Sequence, residues 1–461
     1  MKKQWLFALI AFGIIALLGI IFPFSFDTGD TSGLDKGDVA WMLASTALVF
    51  LMTPGLGFFY GGMVNPKNVI STILQSFIAM GLISILWVVF GFSLAFGESI
   101  GAEGFGLFGN PATFFMFKGV GGAPDPQFAA TIPLALFALF QLKFAIITPA
   151  LFTGSFAGRV RFTSLMIFMV LFMTFIYCPL AHWTWHPNGF LRNWGVLDFA
   201  GGTVVHMSAG MAALAGAFFF GPRRDYARPS YPANIPFVLL GTGLLWFGWF
   251  GFNAGSALEA SDVAVKALLN TNIASASAML VYIFFDGVRG RKPSALGACI
   301  GAVVGLVAIT PAAGFVSVGA SLFIGGFAAI ASNLMIHFFS RRGVDDTLDV
   351  FPAHGLGGIA GMLLTGVFAE DVGLIYGETS TFLFHLLALV IVAAFAFGGS
   401  LLLFWVTNKI VPMRVPSLYE DVGLDMSQHD ETLFYENDEK VRLRREKLKN
   451  YSSDYYPRKG K

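Results

Sequence analysis

Apolar runs of roughly 18 residues or more recur along most of this chain, and that recurrence limits its fold more than any other feature. A run of that length spans a bilayer as a helix, because in hydrocarbon every backbone N–H and C=O has to be satisfied inside the segment. Buried core helices of a water-soluble protein would need a charged surface around them. Only 12% of the 461 residues are charged, about half the share of an ordinary soluble domain. The net charge is +1, with no basic groove interleaved with aromatics, so the pattern gives no nucleic-acid partner. Cys178 and Cys299 both lie inside apolar segments, which argues for packing rather than a disulfide framework or thiolate cluster.

The apolar segments run over 40–63, 69–97, 131–157, 162–182, 200–220, 234–257, 264–286, 294–310, 313–339, 354–369 and 381–411, predicting an all-α polytopic membrane domain over 40–411 with eleven transmembrane helices. Their connections alternate in charge. One side carries Lys67, Arg159, Arg161, Arg223, Arg224, Arg228, Arg289, Arg291, Lys292, Arg341 and Arg342. The other is poor in Lys and Arg and carries Glu98, Glu103, Asp125, Glu370, Asp371 and Glu378. The positive-inside rule puts the basic side and the tail, residues 412–461, in the cytoplasm, and an odd number of spans then leaves the N-terminus outside. In residues 1–24, Lys2 and Lys3 precede an apolar stretch from Trp5 to Phe22, and acidic residues follow at Asp27, Asp30, Asp35 and Asp38. This reads either as a signal peptide without a clear cleavage site or as an uncleaved twelfth helix. Residues 98–130, rich in Gly, Pro and Phe, read as a long external loop. The tail, densely charged over 436–461, reads as partly disordered and open to a soluble partner.

Two histidines stand inside this apolar frame. His206 lies in DFAGGTVVHMSAGMAALAG (Asp198 to Gly216) and His354 in DVFPAHGLGGIAGMLLTG (Asp349 to Gly366), each shortly preceded by an aspartate. A charged residue at bilayer depth costs roughly 2.5–3.5 kcal/mol on insertion scales, so an ionisable one marks a site by default. The tenth segment supplies about 16 residues from His354, about 24 Å against a hydrocarbon core of about 30 Å. Asp349 to Ala353, with Pro352, is therefore expected to dip into the bilayer as non-helical backbone, which only protein or a cavity can cover. The fifth segment enters from the opposite face, with His206 about one and a half turns in. Two helices entering from opposite faces, each with a histidine in its opening turns, predict a five-plus-five inverted repeat and a final helix, with the pore at the repeat interface. A hydrogen-bonded core residue is the plain alternative for either histidine and fits the pair less well.

Depth also orders the aromatics. The third segment runs inward, so Phe140 lies one turn above Phe144 on the same face. The sixth runs outward, which puts Ser256 one turn above Phe252, and Trp185 sits at the outer end of the fourth. Depth alone allows an outer layer of Trp185, Phe140 and Ser256, a second of Phe144 and Phe252, and the histidines beneath. Ordinary packing is the alternative for any one aromatic.

Six stretches carry a resemblance: PGLGFFYGGMVNPKNV (Pro54 to Val69), ILWVVFGFSLAFGE (Ile85 to Glu98), DFAGGTVVH (Asp198 to His206), GWFGFNAGSA (Gly248 to Ala257), KPSALGACIGAVVGLVAITPAAG (Lys292 to Gly314) and VDDTLDVFPAHG (Val344 to Gly355). Through them residues 40–430 resemble the ammonium transporter family, Amt/Mep with the Rh proteins as relatives, and Trp185 with Ser256 points to the Amt branch. The resemblance implies a transporter rather than an enzyme, in the cell membrane, serving nitrogen uptake as a homotrimer with one pore per subunit and no cofactor or metal. It implies a cation–π site of Trp185, Phe140, Phe144 and Ser256, supported by Asp198. It further implies a gate of Phe144 and Phe252, and a pore where His206 and His354 share a hydrogen bond. It also implies regulation by a PII-type signalling protein at the cytoplasmic face, with Tyr419 to Glu431 of the tail taking part.

The chemistry explains these residue types. Dehydrating an ion into an apolar pore is prohibitive, whereas neutral ammonia loses far less hydration. Aromatic faces worth about 1–2 kcal/mol can recruit ammonium, and deprotonation lets ammonia pass imidazoles that offer both a donor and an acceptor. An electrogenic transporter is the leading expectation, and a neutral ammonia channel or an ammonium sensor is the nearest rival. An intramembrane metalloenzyme using His182, His186, His206 and His354 is the remote one, because no carboxylate follows at ligand spacing. Asp198 also fits an N-cap, and Asp349 a structural role in the dipping segment. One residue departs from the family pattern: Lys143, between the two phenylalanines of the third segment, would repel the recruited cation if it faced the site and would be harmless turned away.

Overall fold

In the computed structural model, residues 2–21, 26, 29–227, 231–433 and 439–455 are described. Phe22, Asp27 and Arg228, and residues 434–438 and 456–461 of the tail, lie outside them. Residues Lys2–Ile21 form α1, a helix common to both readings of residues 1–24. The apolar segments follow as α2 (Lys36–Met63), α3 (Pro66–Phe96), α4 (Leu134–Phe156), α5 (Phe162–Trp185), α6 (Gly202–Phe220), α7 (Ile235–Ala257), α8 (Asp262–Val288), α9 (Ala295–Ile309), α10 (Val318–Arg342), α11 (Phe351–Phe368) and α12 (Thr379–Ile410). Ten of these are long and apolar enough to cross a membrane, and the shorter α9 completes the eleven.

Hydropathy selects these helices, and side-chain caps set where they start. Asp35, Asn234, Ser261, Ser294 and Ser317 each accept an N–H of the first turn of α2, α7, α8, α9 and α10, satisfying donors that a helix leaves orphaned. The two histidine helices open differently, each on a π-helical turn: Gly202–Met207 in α6 and Phe351–Gly355 in α11. The stretch Asp349 to Ala353, expected as non-helical backbone, is therefore helical from Val350 on, and only Asp349 of it stays outside the helix. Asp346 Oδ2 accepts the Phe351 N–H at 2.7 Å and starts the helix there, and Pro352 sits in a first turn that does not need its missing N–H.

Glycines let the two histidine helices meet. A Cβ on Gly210 would lie 2.2 Å from the Gly355 backbone, and one on Gly358 would lie 2.9 Å from the Gly202 carbonyl. The crossing thus brings backbone against backbone, as small residues permit in membranes. The paired opening turns and their crossing are the centre of the inverted repeat.

The stretch expected as an external loop holds two small antiparallel hairpins, β1 (Ser99–Ala102) with β2 (Phe105–Gly109) and β3 (Pro124–Asp125) with β4 (Ala129–Pro133). Gly101 and Gly104, at φ +148° and +70°, make the first turn possible. The tail carries more structure than expected: α13 (Ser417–Val422), α14 (Leu424–His429) and α15 (Glu439–Tyr455). Asp425 of α14 accepts the N–H groups of Ile70 and Ser71 at 3.0 and 2.7 Å, and so caps α3.

Candidate functional site

At the end of the bundle that carries the hairpins, a cavity of about 310 Å³ is lined by Phe144, Trp185, Asp198 and Ser256, together with Gln141, Thr184 and Arg192. Trp185 is held by its indole N–H, which donates to the Asp198 carbonyl at 3.2 Å. The Asp198 carboxylate accepts the N–H groups of Gly201, Gly202 and Thr203 at 2.8, 2.6 and 2.8 Å and the Thr203 hydroxyl at 2.5 Å. It therefore caps α6 and fixes one wall of the cavity at once. Ser256 donates its hydroxyl to the Phe252 carbonyl at 2.8 Å, which leaves the oxygen lone pairs free as acceptors. Phe140 is buried one turn above Phe144, ring centroids 4.9 Å apart, and is not among the lining residues.

Below the cavity the path is closed. The rings of Phe144 and Phe252 lie 4.2 Å apart at 33°, and Phe252 is 5.9 Å from the ring of His206. His206 Nδ1 and His354 Nδ1 are 3.3 Å apart, with both side chains buried. Only one of these nitrogens can hold the shared proton, so the two imidazoles take opposite tautomers. His206 Nε2 has no hydrogen-bond partner among the described residues. Under His354 a second, small cavity is lined by Phe59, Tyr60, Val303, Leu348, Asp349 and Ala353.

Six of the residues singled out in the sequence thus follow one another in depth: Trp185 and Ser256, Phe144 and Phe252, His206 and His354. Phe140 stands behind Phe144, and Asp198 anchors the wall. Asp349, paired with Asp198 by sequence proximity, is not its counterpart. Asp346 is, because it caps α11 eight residues before His354, as Asp198 caps α6 eight residues before His206. Asp349 instead takes φ +54° at the turn. Lys143 is half-buried, does not line the cavity, and sets its Nζ 4.9 Å from the Phe50 ring centroid. Trp249 went unnoticed in the sequence. It stacks on His206 at 5.3 Å and 17°, with its indole N–H donating to Thr310 Oγ1 at 3.0 Å. Its place three residues before Phe252, on the same side of α7, was the available signal.

Of the histidines in the metalloenzyme alternative, His182 is committed elsewhere. His182 and His186 stack at 4.2 Å, but both ring nitrogens of His182 already bond to the protein, to the Ala95 carbonyl at 2.9 Å and to Ser99 Oγ at 2.8 Å. Among the described residues no group of three or more His, Cys, Asp or Glu side chains could hold a metal ion.

Residues 40–434 match the model of the Ammonium Transporter Family. The chain is 43% identical over 432 residues to the ammonium transporter of Aquifex aeolicus (strain VF5), a match that spans 92% of this chain and 99% of that one. It belongs to the ammonium transporter family. The ammonium transporter Amt1 of Archaeoglobus fulgidus is 42% identical over 407 residues, covering 87% of this chain and 100% of its own. Among solved structures, the crystal structure of Saccharomyces cerevisiae Mep2 superposes with a TM-score of 0.79 at 34% identity, over 84% of this chain and 89% of Mep2. A structure named Sensor Amt Protein superposes at 0.78 and 29% identity, over 85% and 98% of the two chains. Membership makes this chain a multi-pass membrane protein of an ammonium-transporting, non-enzymatic family.

Proposed function

We propose that the chain recruits ammonium in the cavity at its hairpin end, deprotonates it below the phenylalanine pair, and passes ammonia along the histidine pair. The single observation behind this reading is the order in depth: a cavity with an indole and a free hydroxyl oxygen, then two rings in contact, then two imidazoles sharing one hydrogen bond. In this order each group meets the species it can stabilise. Trp185 and Phe144 present π faces to the cation, Phe140 packs behind Phe144, Ser256 accepts one of the cation's N–H bonds, and the Asp198 carboxylate supplies a negative field without needing contact. Rotation of Phe144 and Phe252 opens the way down. Beyond them His206 and His354 offer a donor and an acceptor to a neutral molecule in an otherwise apolar channel.

The proton passes to His206 Nε2, which has no partner among the described residues, and on through the imidazole pair in the same direction as ammonia, so transport is electrogenic. The test is an ammonium pulse applied to the reconstituted protein on a supported membrane. A saturable inward current that is reduced by Trp185→Ala and Ser256→Ala is the expected result. Ammonia flux without current would replace this reading with a neutral channel, and binding with little flux would replace it with a sensor, the label carried by one of the similar structures.

The reading extends to assembly and orientation. The basic connections and the tail face the cytoplasm, three chains assemble with one pore each, and a PII-type signalling protein docks at the inner mouth beside α13 and α14. Light scattering with detergent correction gives the stoichiometry. A pull-down with the cognate PII protein that fails both with and without nucleotide would remove that partner.

A further inference from the structure

Ammonium and potassium are similar in size and equal in charge, so aromatic faces hold either one. Ammonium differs in carrying N–H donors with fixed directions, and a cavity that selects it must place acceptor oxygens on those directions, since potassium takes oxygens from any side. Ser256 is one. Two more side chains line the same cavity without a hydrogen-bond partner among the described residues. Gln141 is 9% exposed, its amide oxygen is buried without a partner, and its amide nitrogen makes no hydrogen bond among the described residues either. Thr184 is 4% exposed and its Oγ1 is likewise buried and unpartnered.

Thr184, like Thr53, departs from the usual pattern of this chain. Thr148, Thr242, Thr310, Thr365 and Thr407 each donate to the carbonyl four residues back, the usual way a helical threonine satisfies itself. Thr184 adjoins Trp185 at the end of α5, and Gln141 lies three residues before Phe144 on α4, so both flank the residues that form the aromatic wall. Buried polar atoms are normally paired, and two unpaired ones at one cavity point to a ligand that pairs them. The Gln141 amide has no protein bond to fix its orientation, so a bound cation can turn the oxygen inward and the nitrogen away.

We infer that Gln141 and Thr184 are specificity-determining residues whose side-chain oxygens accept hydrogen bonds from ammonium in the outer cavity and select it over potassium. This rests on the proposed recruitment of ammonium in that cavity. Gln141→Met and Thr184→Val remove the acceptors at nearly constant volume. Ammonium flux into proteoliposomes is measured against ammonium concentration, with and without potassium as competitor, alongside Trp185→Ala and Ser256→Ala.

Each acceptor variant is expected to raise the half-saturating ammonium concentration about tenfold, as loss of a hydrogen bond to a charged ligand does. Potassium inhibition should weaken by clearly less than that factor, so that selectivity falls. Unchanged half-saturation in both acceptor variants, with a shift in Trp185→Ala or Ser256→Ala, overturns this inference and leaves the recruitment site standing. No shift in any of the four overturns the site as well. Ammonium and potassium weakening in parallel would mean a reshaped cavity and also overturns the inference. Should Gln141→Met fail to fold, Gln141→Glu decides: a carboxylate there is expected to lower the half-saturating concentration, and an increase overturns the assignment.

Discussion

At the scale of single residues, Asp198 does two things, one with its carboxylate and one with its backbone. Its oxygens take up three N–H groups and a hydroxyl at the mouth of α6, while its own carbonyl holds the Trp185 indole. Asp198→Ala strands those donors, at a cost of about 2 kcal/mol or more, and loosens the wall that carries Trp185. Lower thermal stability in detergent and loss of flux are expected together, with Asp198→Asn between the two because it keeps one acceptor oxygen. Wild-type stability in Asp198→Ala would contradict the cap. Lys143 gives the opposite expectation. Its ammonium group lies over Phe50 and outside the cavity lining, so Lys143→Gly should leave the half-saturating ammonium concentration within about twofold, the order of a contact worth under 0.5 kcal/mol. A larger shift would mean that its charge reaches the site. The sequence names the residue in both cases but not its direction, since direction follows from which helix packs opposite. The same limit hid Asp346: Asp349 is read as structural and sits in the turn at φ +54°, but the carboxylate that reaches the helix start belongs to Asp346, which the sequence does not single out.

Among the elements, α6 and α11 carry the most information, and they are also where hydropathy reads least. The other helices are legible because a long apolar run has one stable form in a bilayer. An i→i+5 turn cannot be told from an i→i+4 turn in a segment buried on all sides, where no polar face reports the period, and so the π turns at His206 and His354 stay hidden. The hairpins of 99–133 are hidden for a different reason: their strands are short and without alternation. What remains legible in α6 and α11 is their glycine content, and the structure gives it a use. Gly210→Ala would push a Cβ to 2.2 Å from the Gly355 backbone, which the crossing cannot absorb without moving His354. Sharply reduced yield or a loss of flux is expected. Gly398→Ala in α12 is the control, with nothing within 4 Å of the added atom; it should be neutral or slightly stabilising, as Gly to Ala is in a helix. Equal behaviour of the two variants would show that the crossing is looser than its geometry.

Across the whole molecule, the two ends are built on different principles. The hairpin end is open and aromatic. The basic end is tied together by ion pairs and caps that draw the tail onto the bundle. Arg159, fully buried and with its guanidinium held down to about 10 by that burial, lies 3.5 Å from Asp345 and donates to Thr347 Oγ1 at 2.7 Å. Arg414 pairs with Glu420 at 2.7 Å, and Asp425 caps α3. His429 closes this latch, its ring 5.1 Å from Phe162 and its Nε2 buried without a partner among the described residues. Burial lowers the His429 pKa, and the carboxylates of Asp425 and Glu431 partly oppose that. A histidine held below its usual value of about 6.5 favours the docked tail while neutral. Its contribution is complete above that value and fades as pH falls through the lowered one. Asp425, raised by its own burial, pulls the other way, its docked form being favoured by protonation from the carboxylate range upward. Hydrogen exchange of 417–429, corrected for intrinsic rates, separates the two. On acidification from pH 7.5 to 5.5, protection should fall in the wild type and should hold or rise in His429→Gln, where only the Asp425 slope remains. Identical profiles in both would mean that the latch does not depend on His429.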